Sequence, residues 1–164
     1  MSKDEDRAWR LLETVSGWLR HAEAKLTAAL GFIGVTGGAL FGISKGADFD
    51  CWSAAVAWLG AITVIAAGLV TLAGLLPRRR SVDPHNVVFY RDIFESNATS
   101  ADYTAKVRKA TKSDDFEVAI LKQVYNVSRV ADRKFAAATH AFVLLGIALT
   151  LTALLGAARA AGAI

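Results

Sequence analysis

Three long apolar runs, at residues 26–43, 52–76 and 135–158, restrict this chain more than any other feature in it. As helices rising 1.5 Å per residue, even the shortest covers about 27 Å, close to the ~30 Å hydrocarbon thickness of a bilayer. With 54% hydrophobic residues in 164, the chain is too apolar for an ordinary soluble domain of this size, and those residues are bunched rather than spread. The expected fold class is therefore an all-α integral membrane protein: three transmembrane helices with a helical cytoplasmic layer between spans two and three. Ser2-Lys3-Asp4-Glu5-Asp6 is no signal-peptide n-region and no small-residue cleavage site follows the first run, so the first span is expected to stay.

Orientation follows from the basic residues. Residues 77–134 hold twelve Lys or Arg, including Arg78-Arg79-Arg80 directly after span two, whereas the 44–51 loop holds only Lys45 and the C-terminal tail only Arg159. By the positive-inside rule, residues 1–25 and 77–134 face the cytoplasm, and the short loop and C-terminus lie outside. Trp18 at the inner mouth, and Phe49 and Trp52 at the outer loop, suit interfacial aromatic positions. The arginine run most simply anchors span two against anionic headgroups; an anionic soluble ligand is the alternative. A lone cysteine, Cys51, excludes an intramolecular disulfide and a zinc cluster.

Residues 7–25 read as a helix running into span one, with nothing to break it before Gly31. Asp83 followed by Pro84 predicts an N-cap and first helical residue, opening a helix through about Ser96. Ser100 is placed to cap a second helix, through about Thr111, and Asp114 to Glu117 has capping-box spacing, with Ser113 a competing cap. From there a stripe of Phe116, Ile120, Val124, Val127, Ala131 and Lys134 predicts one unbroken helix to about Ala158, projecting roughly 30 Å beyond the membrane.

A short motif recurs at the inner mouths of spans one and three. Arg20-His21-Ala22-Glu23-Ala24-Lys25-Leu26 and Arg129-Val130-Ala131-Asp132-Arg133-Lys134-Phe135 share Arg-x-Ala-acid-x-Lys-apolar, each followed by x-Ala-Ala. Both helices enter the membrane in the same direction, so spans one and three can lie as parallel neighbours with span two antiparallel. Within each copy, Arg and acid three residues apart share a face and can pair. The lysine lies among alanines, which allow close approach to its ammonium. In the second copy this face extends back to Asn126 and Gln123. Gln123, Asn126 and Lys134 thus form a strip of amides and positive charge able to meet the base edge and phosphate of an anionic nucleotide, with Lys25 and Arg129 as further candidate contacts. The bland alternative is a snorkelling lysine with amide bonds between helices.

Span one carries Gly34, Gly38 and Gly42 at small-xxx-small spacing, with Gly31 one turn earlier, a ridge suited to close approach within the subunit or between subunits. Spans two and three hold no Asp, Glu, Lys or Arg, which disfavours ion translocation. His140, the ionisable residue at depth, is expected to bond between helices. No phosphate loop, zinc-binding pair, nucleophile elbow or carboxylate cluster is present, so the chain is not expected to be an enzyme or to hold a metal or cofactor.

Asp83-Pro84, Phe89 and Ile93, Tyr103, Leu121-x-Gln123-x-x-Asn126 and Ala131-x-x-Lys134-Phe135, with Ala22-Glu23-x-Lys25 entering a glycine-bearing span, together resemble the small transmembrane effectors of bacterial Pycsar anti-phage systems. The resemblance covers about residues 15–150. It implies a partner cyclase that makes cyclic CMP or cyclic UMP on infection, and an effector that senses the nucleotide and impairs inner-membrane integrity in abortive infection; the glycine ridge of span one would mediate assembly into a homo-oligomer. It implies no nucleic-acid partner. Ligand contact would fall to Lys25, Gln123, Asn126, Arg129 and Lys134; with no β-roll in the chain, sensing must use the helical layer. The alternative is a membrane scaffold that recruits a soluble partner through residues 77–134.

Overall fold

The computed structural model describes residues 3–76, 93, 97–111, 115–162 and 164. The expected helix start at Asp83-Pro84, the Arg78 to Arg80 anchor and the capping at Ser113 and Asp114 lie outside the described residues. Among these there are four helices and no strand: α1 (Lys3–Ser44), α2 (Cys51–Leu75), α3 (Ser100–Thr111) and α4 (Asp115–Ala160). The first, second and fourth are long and apolar enough to cross a membrane. Neither α1 nor α4 contains proline, so both run unbroken for 42 and 46 residues. The first thus begins four residues before its expected start at residue 7, helped by Asp4, Glu5 and Asp6 in its first turn.

The helix ends explain themselves locally. Gly46 and Gly162 each adopt φ +71°, the left-handed conformation that closes the last turns of α1 and α4. Asp50 caps α2 by accepting from the Ser53 amide at 2.8 Å. In α3 the cap is Thr99, not Ser100 as expected. Its hydroxyl accepts from the Asp102 amide at 3.2 Å, while the Asp102 carboxylate accepts from the Thr99 amide at 3.1 Å, a reciprocal box whose cap lies one residue upstream of the expected Ser100.

The chain divides into two compact units, Met1–His21 with Pro77–Asp132, and Ala22–Leu76 with Arg133–Ile164. In the second, α1 and α4 run parallel and α2 antiparallel to both. Glu23 meets Lys134 at one end and Ile43 meets Arg159 at the other, while Gly74 lies on Leu26 and Gly60 on Leu40. The buried positions alternate in steps of three and four: Ala22, Leu26, Ala29, Ile33, Thr36 and Leu40 on α1, and Ala138, Ala141, Leu145, Ala148, Thr152 and Leu155 on α4. On α2, Ser53, Gly60 and Ala67 recur every seven residues in the seam, and Gly74 continues the series. A seven-residue period keeps one stripe facing its partners, as in left-handed helix packing.

The packing within this unit runs on small residues. Ala29, Ala67 and Ala141 are fully buried in one cluster with Ile33 and Leu145. A Cβ placed on Gly74 would lie 2.9 Å from the Ala137 Cβ and 3.1 Å from a Leu26 methyl. By contrast, Gly31, Gly34, Gly38 and Gly42 have nothing within 4 Å of a built Cβ, so the predicted ridge faces out of the subunit. Thr36, Thr63, Thr71 and Thr152 are buried, each donating to a carbonyl four residues back, while Phe41, Trp52, Trp58, Ile62 and Leu69 are exposed. Hydroxyls inward and large apolar groups outward is the reverse of a water-soluble helix bundle and suits hydrocarbon surroundings. His140, expected to bond between helices, is instead exposed.

In the first unit, Ala8, Val15, Ile120 and Ala131 are buried, and the Trp9 and Phe116 rings meet at 6.3 Å with a 58° tilt.

Candidate functional site

The two copies of the repeated motif meet crosswise at one rim of the three-helix unit. Lys134 of the second copy donates to the Glu23 carboxylate of the first at 2.7 Å. Lys25 of the first copy lies over the Phe135 ring of the second, 5.3 Å from its centroid, a cation–π distance. Each copy thus supplies one charge to the other. The expected Arg129–Asp132 pair is not among the ion pairs of the described residues.

Seam position explains the arrangement. Lys134 falls between buried Ala131 and Ala138, which puts its side chain inside the helix contact at 11% exposure, while Glu23 at the edge keeps 45%. An ammonium held that far from water needs an anion, and the nearest helix supplies one. Just inside the rim, Gly74 and Ala137 bring α2 against α4, closing the apolar layer below the pair. At the opposite end Arg159 donates to the Ile43 carbonyl and, at 3.0 Å, to that of Lys45. It satisfies carbonyls that the end of α1 would otherwise leave without partners. Nothing in the spacing of the sequence marks this role; only the parallel register of α1 and α4 brings Arg159 there. Nearby, hydrogen bonds from the Ser53 hydroxyl and amide hold the Asp50 carboxyl below the usual carboxylate range.

The remaining candidate residues lie on α4 in the other unit. Gln123 and Asn126 are half-buried one turn apart, and Arg129, a further turn on, is exposed. The Gln123 Oε1 is buried and accepts no hydrogen bond from any described residue. A buried carbonyl oxygen without a donor costs about 1–3 kcal/mol. Arg129 forms no ion pair among the described residues. Lys25 and Lys134 therefore stand at the rim of one unit, Gln123, Asn126 and Arg129 in the other. No group of three His, Cys, Asp or Glu with metal-binding geometry occurs among the described residues.

Comparison with known proteins places these features in a family. No solved structure matches the chain. The Pycsar effector protein PtPycTM of Propioniciclava tarda is 30% identical over 148 residues, covering 85% of this chain and 72% of that protein. The family described as the Pycsar effector protein domain, PycTM, matches residues 7–161, so that α1 from Arg7 onward, all of α2, α3 and α4, and both copies of the rim motif fall within it. The chain belongs to the Pycsar effector family.

Proposed function

We propose that this protein senses a cyclic pyrimidine mononucleotide, cyclic CMP or cyclic UMP, made by a partner cyclase, and responds by impairing the membrane its three apolar helices occupy, causing abortive infection. Membership of the family implies an anti-phage defence effector, and an effector rather than a cyclase. The observation that carries the sensing half is the unpartnered Gln123 Oε1. It would accept from a base N–H, the 4-amino group of cytosine or the ring N3–H of uracil, with the Asn126 amide one turn away completing the base edge. Arg129 offers a fork of donors to the cyclic phosphodiester. Lys134 has its charge committed to Glu23, so we give Lys134 and Lys25 the work of holding α1 against α4 at the rim.

Because α4 is one continuous helix from Asp115 to Ala160, a shift imposed on its Gln123 to Arg129 stretch is carried along its backbone to the rim. A ligand that binds one arrangement more tightly than another shifts the population between them. Residues 1–25 and 77–134 then face the cytoplasm, the C-terminus lies outside, and the outward glycine ridge of α1 serves contact between copies in a homo-oligomer.

The test is binding of radiolabelled cyclic CMP and cyclic UMP to purified protein in detergent, with cyclic AMP as control, for wild type and Gln123→Leu. An apolar side chain of similar size removes the orphaned oxygen, so Gln123→Leu should be at least as heat-stable as wild type while losing pyrimidine binding. Unchanged binding in that variant removes Gln123 from the site. Absence of selective binding by folded wild type overturns nucleotide sensing.

A further inference from the structure

We propose that copies of this chain pack side by side in the membrane, the outward face of α4 on one copy seated against the glycine ridge of α1 on the next. This deepens the proposed contact between copies, on which it rests, by naming the second surface, and it needs no ligand. His140 is the starting point. It is the one ionisable side chain within the three apolar runs, six residues past Lys134 and so about 9 Å into the span, and it is exposed. An ionisable group at that depth belongs against protein or water, not against lipid tails. The same side of α4 carries Asp132, Ala136, Val143 and Ile147, all exposed at steps of three and four. On α1, Arg20, Ala24, Thr27, Gly31 and Gly34 form an exposed face with the same stepping.

Height decides what meets what. Assembly about an axis along the membrane normal keeps every residue at its own height. Within the chain, level residues on the parallel α1 and α4 stand 111 to 113 positions apart, as at Glu23 with Lys134 and Ile43 with Gly156. The two outward faces match at that same interval. Asp132 of one copy comes level with Arg20 of the next, His140 with Thr27, Val143 with Gly31 and Ile147 with Gly34.

Each of these meetings is complementary. Lys134 has taken Glu23, and neither Arg20 nor Asp132 has an ion pair among the described residues. Thr27 gives its hydroxyl proton to the Glu23 carbonyl at 3.0 Å, which leaves its oxygen to accept from a His140 ring N–H. Gly31 and Gly34 have nothing within 4 Å of a built Cβ, so they make room for the exposed Val143 and Ile147 side chains. A face that met its own copy would set Arg20 against Arg20, or Asp132 against Asp132, at one height, which like charges disfavour. Contact between two different faces repeats around a ring instead of ending at a pair.

The test is disulfide crosslinking of full-length protein in liposomes of phosphatidylethanolamine and phosphatidylglycerol, with and without cyclic CMP and cyclic UMP. Exposed Cys51 is replaced by serine. Ala24→Cys and Ala136→Cys, exposed and level on the two faces, are placed in differently tagged chains and co-expressed. Oxidation should join the two tags and leave each variant unlinked to itself, and one chain carrying both cysteines should give a ladder beyond the dimer. Arg20→Asp or Asp132→Arg in both chains, with folding checked by thermal melting, should cut the link about tenfold, and the two changes together should restore it. Links only between like cysteines, or no recovery in the charge swap, overturn this interface and leave assembly standing. No link in any combination overturns assembly as well.

Discussion

Removing the charge of Glu23 should cost more than removing that of Lys134, although both changes break the same bond. In Glu23→Gln the Lys134 ammonium stays where it is, 11% exposed and without an anion. Losing one partner of a fully buried pair costs about 3–5 kcal/mol, and an exposed pair contributes about 0.2–1 kcal/mol. Glu23 is 45% exposed, so water reaches the site and the cost falls between these limits, at about 1–2 kcal/mol. In Lys134→Met the carboxylate left behind can hydrate, and the thioether fills the seam between Ala131 and Ala138, so the cost should stay below about 1 kcal/mol. The double variant leaves no charge in the contact and should recover part of the Glu23→Gln loss, with a coupling of about 1 kcal/mol. Equilibrium unfolding in mixed micelles, followed by tryptophan fluorescence, reads all four species. A Lys134→Met cost equal to or above that of Glu23→Gln, or strictly additive costs, would refute the crosswise pair as the contact that holds α1 to α4.

Gly74→Ala should destabilise the three-helix unit by about 1–3 kcal/mol, because the new Cβ would lie 2.9 Å from a fixed Ala137 Cβ. Gly38→Ala, with nothing within 4 Å, should be neutral in monomeric protein, and the same unfolding assay compares the two. Arg159→Ala should loosen the C-terminal end of α1, seen as faster hydrogen exchange at residues 40–46, whereas equal exchange rates would remove its capping role. The Asp50 carboxyl is held below its ordinary value of 3.8 by Ser53, so its contribution is present above that value and is lost as pH falls through the lower native one. Exchange in the first turn of α2 should therefore depart from the intrinsic pH dependence at low pH in wild type and not in Asp50→Asn.

Much of the architecture was legible in the residues. Three uncharged runs of sufficient length dictate helices that satisfy their own backbone bonds in lipid, and the lack of proline from Lys3 to Ser44 and from Asp115 to Ala160 keeps the two long rods whole. The common direction of the repeated motif foretold parallel α1 and α4. The heptad of Ser53, Gly60, Ala67 and Gly74 is also present in the sequence and marks the packed face of α2, whereas the denser glycine series of span one turns outward.

The partners were a different matter. Local spacing favours Arg129 with Asp132, since i, i+3 neighbours are always in reach. The preference of Lys134 for Glu23 depends on the rotation of α4, which puts the lysine in the seam and the acid of another helix at its edge. The outward turn of the Gly31 to Gly42 ridge, the exposure of His140 and the Arg159 cap on α1 have the same origin. Sequence alone determined that these helices form, cross lipid and run in alternating directions, because hydropathy, length and charge act within one segment. Which face of each helix meets which neighbour was decided only by tertiary packing, where close contact between small residues selects one rotation among several that the hydropathy pattern allows equally.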